Sequence, residues 1–153
     1  MHRKASPRFY AWKRKQFAIA KSRSVNKEQS IERGVPQSPP YVRTMSGRMR
    51  RLPLLNVYNE GVRGAAERQA ISTIVQGSAA DIMKRAMIDV HAALLGSSVQ
   101  PVLTVHDELV TICPHGKEDW AVKVIKKNME GAADLRVPLK VDINVCNRWS
   151  EGK

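Results

Sequence analysis

Asp107 and Glu108 are adjacent carboxylates between two apolar runs, Pro101-Val102-Leu103-Thr104-Val105 and Leu109-Val110-Thr111-Ile112-Cys113. Alternation along a strand sends neighbours to opposite faces, but a turn relaxes that rule and can bring both acids near one point. Carboxylates held close together repel unless a cation lies between them, and a hard divalent ion such as Mg²⁺ is the natural neutraliser. An arbitrary Asp-Glu pair more often does no more than solvate a surface turn. Here the flanks weigh the other way, because a turn this acidic between strands of a buried sheet needs a reason. His106 stands beside the pair, where a structural turn histidine is the commoner meaning. Upstream, Arg68 and Gln76 are eight apart, so on a helix they share nearly one face and point away from much of its apolar stripe. A solvated helix face is the usual meaning of such residues.

The elements that must position these groups are readable in outline. Ser6-Pro7 suits an N-cap and first turn, and Phe9, Trp12, Phe17 and Ala20 recur at near-helical spacing, so a short amphipathic helix is expected over 7–22. Residues 22–40 are polar and end in a proline cluster, which reads as a flexible loop. Residues 41–55 read as a hairpin with Ser46-Gly47 at the turn and Arg48, Arg50 and Arg51 on the return strand. Apolar residues from Ile71 to Leu94 at helical spacing predict one long helix or a broken pair over 60–95, with Gly77 as the weak point. A second hairpin follows, with His106-Asp107-Glu108 at its turn. A helix over 116–134 and a last strand over 139–145, opened by Pro138, complete the chain. Helices and three or more strands out of strict alternation indicate an α+β fold.

Composition narrows the partners. The chain has 153 residues, room for one domain with a real core, and its 42% hydrophobic content argues against wholesale disorder. No apolar run is long enough to suggest a membrane span, and no secretory segment follows Met1. Cys113 and Cys146 fit no metal spacing and read as free thiols of a reducing compartment. The net charge is +12, and residues 1–53 carry all of it: 14 Lys/Arg against Glu28 and Glu32, while the remainder balances 12 against 12. A concentrated basic segment attracts polyanions through counterion release, which favours nucleic acid. A solvated arm, an anionic-membrane patch and a mitochondrial transit peptide are the competing readings.

Four blocks, in order, resemble one family. Val105-His106-Asp107-Glu108-Leu109-Val110 resembles motif C of the family A DNA polymerases. Ala66-Glu67-Arg68-Gln69-Ala70 with Val75-Gln76-Gly77-Ser78-Ala79-Ala80-Asp81 resembles the long palm helix before that motif. Ser46-Gly47-Arg48 through Leu52-Pro53 resembles the arginine-rich hairpin, and Val137-Pro138-Leu139-Lys140-Val141 with Trp149 the closing strand. The resemblance covers residues 41–153, with 1–40 left as a basic helix and an insertion. The string AERQAI…IVQGSAAD is most similar to the theta- and nu-like polymerases.

The resemblance implies a palm-type antiparallel sheet with packed helices, and DNA-directed nucleotidyl transfer in replication or repair. Asp107 and Glu108 become the catalytic and metal-binding residues, with Mg²⁺ in a two-metal site. Arg68, Gln76 and His106 become minor-groove contacts at the primer terminus, and Ser72, Arg48 and Arg50 further DNA-binding residues. The implied partners are primer-template DNA and deoxynucleoside triphosphates, with no membrane; the implied location is intracellular, and nuclear if the subgroup holds. Departures limit this. No motif A (DYSQIELR-like) and no fingers motif (RRxxKxxxFGxxYG-like) occurs in the sequence, Ser72 replaces the usual Asn, and Met49 interrupts the arginine run. The expectation is a fragment, a split-gene subunit or a decayed copy, with a longer chain or a second polypeptide supplying motif A and the fingers. A non-catalytic DNA-binding module is the alternative.

Overall fold

Proline at a first helical position needs no amide partner and already has helical φ, and Pro7 opens α1 (Pro7–Ser22) in this way. The structure, a computed structural model, describes residues 7–26, 28, 29, 32 and 37–152. Ser6, the expected cap, lies outside them. The chain divides into two compact units, Met1–Ser78 and Ala79–Lys153.

In the first unit, α1 packs on a hairpin of β1 (Tyr41–Arg43) and β2 (Met49–Arg51), antiparallel with Val42 opposite Arg50. Gly47, at φ +89, takes the left-handed position of the connection. A 3₁₀ turn, Pro53–Asn56, leads to α2 (Glu60–Leu94), whose early turns belong to this unit. Ala20, Val42, Leu52, Leu55, Ala66 and Ala70 form the core, with Phe17 and Ile74 against it. The segment read as a flexible loop is tied at its base. Val25 and Ser38 exchange both backbone hydrogen bonds, at 2.9 and 3.0 Å. Residues 27, 30, 31 and 33–36 of that segment lie outside the described set.

α2 is one helix, unbroken at Gly77. The glycine is there because the first hairpin comes close. A Cβ at Gly77 would lie 2.8 Å from Thr44 Cγ2 and 3.3 Å from Arg48 Nη2. Thr44 cannot step aside easily, being β-branched, 5% exposed and hydrogen-bonded through Oγ1 to the Arg48 amide at 3.1 Å. Alanine would improve helix propensity by about 1 kcal/mol, but overpacking costs about 1–3 kcal/mol. Gly77→Ala is therefore expected to lower the urea midpoint of the chain, and an unchanged or raised midpoint would show that the hairpin yields freely.

The second unit holds the last turns of α2, β3 (Gln100–Val105), β4 (Glu108–Ile112), α3 (Glu118–Glu130) and a final 3₁₀ turn at Trp149–Glu151. Its core is Val90, Leu94, Val99, Ala121 and Ile125, with Leu109, Val124, Met129 and Ile143 packed against it. α3 is shorter than the expected 116–134, because Gly116 turns at φ +85 before it and Gly131 caps its end. Glu118 and Asp119 in its first turn suit the positive end of the helix dipole.

One expected element is not formed. Residues 139–145 make no strand, although Leu139, Val141 and Ile143 are half-buried while Lys140 and Asp142 are exposed. The burial alternates as in a strand, but no neighbouring strand among the described residues supplies a ladder. The Val141 amide donates instead to Glu130 Oε1 at 3.1 Å. Among the described residues the strands form two two-stranded antiparallel sheets, β1–β2 and β3–β4, within the expected α+β arrangement. No helix among the described residues is long and apolar enough to cross a membrane. Cys113 and Cys146 are free thiols.

Candidate nucleic-acid interface and carboxylate turn

Arg68, Ser72 and Gln76 fall at successive fourth positions of α2, so they form one stripe along it. Arg68 and Gln76 are exposed and Ser72 is half-buried, while Ala66, Ala70, Thr73 and Ser78 are buried on other faces. Ser72 Oγ donates to Gln76 Oε1 at 2.8 Å. That bond occupies the acceptor end of the amide and leaves its NH₂ end as the donor available to a ligand.

The first hairpin lies against this stripe. Arg48 Nη2 donates to the Gly77 carbonyl at 3.0 Å, and Arg50 Nη1 donates to Thr73 Oγ1 at 3.2 Å. The Met45 amide donates to Ser78 Oγ at 2.9 Å, and Ser78 Oγ in turn donates to the Ile74 carbonyl. These bonds join turn and helix around an open cleft of about 330 Å³, lined among others by Arg48, Arg50, Ser72, Thr73 and Gln76. The structure therefore brings four of the residues expected to contact DNA together in one polar, cationic groove. Arg68 shares their stripe without lining the cleft. Thr44 and Thr73, which orient the arginines, were not singled out in the sequence. Gly77 signals the hairpin's approach in the sequence, since a glycine within a helix marks either a weak point or a close neighbour.

His106, Asp107 and Glu108 belong to the second unit. Val105 pairs with Glu108, so the turn is only His106-Asp107, and Glu108 already stands in β4. Thr104 Oγ1 donates to the Glu108 carbonyl at 3.2 Å and holds the two strands together there. His106 has φ +55, alone among the described non-glycine residues in being left-handed. Such a conformation costs on the order of 1–3 kcal/mol and is concentrated at functional sites. All three side chains are exposed. Pairing puts Glu108 with Leu103, Val105, Val110 and Ile112 on one face, while Leu109 turns to the core.

Two carboxylates suit a hard divalent cation in chemistry, but not in number. Among the described residues no group of three or more His, Cys, Asp or Glu gathers as a metal site. Asp107 and Glu108 can contribute to a Mg²⁺ site; they do not complete one.

The family model for DNA polymerase family A matches residues 27–151. The chain belongs to DNA polymerase family A. It is 45% identical over 115 residues to DNA polymerase I of Lactococcus lactis, an alignment covering 74% of this chain and 13% of that protein. Over 126 residues it is 40% identical to the thermostable DNA polymerase I of Thermus filiformis, covering 82% of this chain and 15% of that one. Among solved structures it resembles the polymerase domain of Pol1 from M. smegmatis in complex with DNA primer-template and dNTP. The TM-score there is 0.68, with 34% identity over 86% of this chain and 21% of the other. The chain thus spans about an eighth of the length of the first of these family A relatives. These relatives are bacterial DNA polymerase I enzymes, and they give no support to the theta- and nu-like subgroup or to a nuclear location.

Proposed function

We propose that residues 41–153 are the C-terminal palm portion of a DNA-directed DNA polymerase and supply one side of a nucleotidyl-transfer site. The observation that carries this reading is the strained His106-Asp107 turn, with Glu108 beside it, inside a family A match. Asp107 is the metal ligand of this chain and Glu108 an auxiliary carboxylate. When bound, Mg²⁺ supplies charge neutralisation at the reacting phosphate and activation of the primer hydroxyl. The chain's own residues position. Arg68 and Gln76 hold the terminal base pair from its minor groove, Ser72 fixes the Gln76 amide, Arg48 and Arg50 hold the strand beside it, and His106 donates next to the carboxylates. Primer-template DNA and a deoxynucleoside triphosphate are the substrates, as both are held in the M. smegmatis structure.

The remaining carboxylate and the nucleotide-binding fingers come from residues outside this sequence, on a longer chain or a separate polypeptide. A second reading, a DNA-binding module without catalysis, draws on Asp107 and Glu108 standing without a third His, Cys, Asp or Glu grouped with them among the described residues. Primer extension separates the two. Purified chain alone should bind primer-template and incorporate no nucleotide. Mixed with a family A polymerase domain truncated before the segment matching residue 41, it should restore extension. Extension by the chain alone would show that its own carboxylates suffice. DNA binding without extension in the mixture would establish the second reading.

A further inference from the structure

We propose that the first half of α1 is a stacking platform for the unpaired bases of a DNA single strand. The helix precedes the residues matched by the family model, 27–151, and takes no part in the site above. The inference rests on that proposed function only in taking DNA as the partner.

The two ends of α1 differ. Toward its C-terminal end, Ala20 is fully buried and Phe17 packs on the core, which anchors the helix. Toward its N-terminal end, large aromatic rings reach solvent, with Phe9 40% and Tyr10 49% exposed. These rings are already assembled. Phe9 stacks on Trp12 with centroids 5.9 Å apart at 30°, and meets Tyr10 edge-on at 6.0 Å and 68°. A base can extend such a cluster without first ordering it.

Charge decides the occupant. The helix contains no Asp or Glu, and its cations alternate with its rings one turn apart: Arg8 with Trp12, Phe9 with Lys13, Tyr10 with Arg14. A helix that lies on a membrane separates an apolar face from a charged one. Interleaving fits a ligand that itself alternates flat apolar surfaces with negative charges, as a single strand does with bases and phosphates. Duplex DNA keeps its base faces stacked inside and can offer the helix its phosphates alone.

The test uses the full chain and three labelled probes of equal length, about 12 nucleotides or base pairs: oligothymidylate, an abasic strand, and a duplex. Fluorescence anisotropy at one salt concentration reads each affinity. The thymidylate strand should bind about 5- to 100-fold more tightly than the abasic strand. Tyr10→Ala and Phe9→Ala should each remove much of that preference and leave abasic and duplex binding unchanged. Tyr10→Phe, which keeps the ring, should retain it, and far-UV circular dichroism should show the helix intact in all three. Equal affinity for thymidylate and abasic strands overturns the proposal, as does an equal loss on every probe in the alanine variants. Ring-dependent binding to phosphatidylserine vesicles without any base preference overturns it too. Duplex binding and extension by the reassembled polymerase are independent of these rings. If they persist while base preference is absent, this inference alone fails; if no nucleic acid binds at all, the polymerase reading fails with it.

Discussion

Asp107→Asn is expected to reduce single-turnover nucleotide incorporation by the reassembled polymerase on the order of 10²–10³-fold, with primer-template affinity unchanged. Asparagine nearly preserves the volume of aspartate and is at home in turns, so the substitution removes negative charge and little else. The geometry predicts a smaller effect at the neighbouring residue. Asp107 is the second residue of a two-residue turn, at the tip, whereas Glu108 is paired with Val105 and shares a face with Leu103 and Val110. Glu108→Gln should therefore retain more of the rate than Asp107→Asn. Rapid-quench measurement with saturating nucleotide reads both. Near-normal incorporation by Asp107→Asn would remove it from the metal site altogether.

The second large effect concerns the stripe on α2. Every Watson–Crick pair presents minor-groove acceptors, purine N3 and pyrimidine O2, at similar positions. Donors placed against them check pair geometry without reading sequence, which is what copying an arbitrary template demands. Replacing N3 of the primer-terminal purine by carbon removes an acceptor, and extension should fall about 10- to 100-fold, the usual value of a hydrogen bond to a charged donor. The penalty should shrink in Arg68→Ala or Gln76→Ala, where the donor is already gone. Ser72 acts through Gln76, whose oxygen it holds at 2.8 Å. Ser72→Ala should therefore weaken the N3 dependence in the same direction, by letting the amide rotate. Ser72→Asn, with a longer side chain that can reach the groove itself, should sharpen discrimination against a mismatched terminus. An equal N3 penalty in the parent and in both alanine variants at positions 68 and 76 would leave α2 a purely structural helix.

What could be read from the sequence was whatever depends on local periodicity and on turn residues. The limits of α1, the turn at Ser46-Gly47 and the long α2 all rest on such signals, and the structure has them. Helical spacing put Arg68 and Gln76 on nearly one face before any packing was known, but that face alone reads as a solvated one, and only the family resemblance makes it a DNA contact. Contacts between distant segments were not legible. Gly77 looked like a break because its reason, the Thr44 methyl, is 33 residues away. The strand at 139–145 has the alternation of a strand and lacks a neighbour, and alternation carries no information about neighbours. The turn of the second hairpin was drawn one residue too wide because acidity marks solvent exposure, and Glu108 is exposed while still in the ladder.

The β3–β4 pair has a consequence for the chain as a solute. Each strand has a ladder partner on one side only among the described residues, and the face carrying Glu108 also shows Leu103 and Ile112 to water at 45% and 62% exposure. Two strands alone are marginal, and an unpaired strand edge beside exposed apolar side chains is a template for the next copy of itself. What opposes that pairing is mutual repulsion between molecules of charge +12. Colloidal behaviour and function then pull against each other. A polyanion held on the basic segment would cancel the repulsion that keeps copies apart, so copies sharing one polyanion would be the most prone to meet edge to edge.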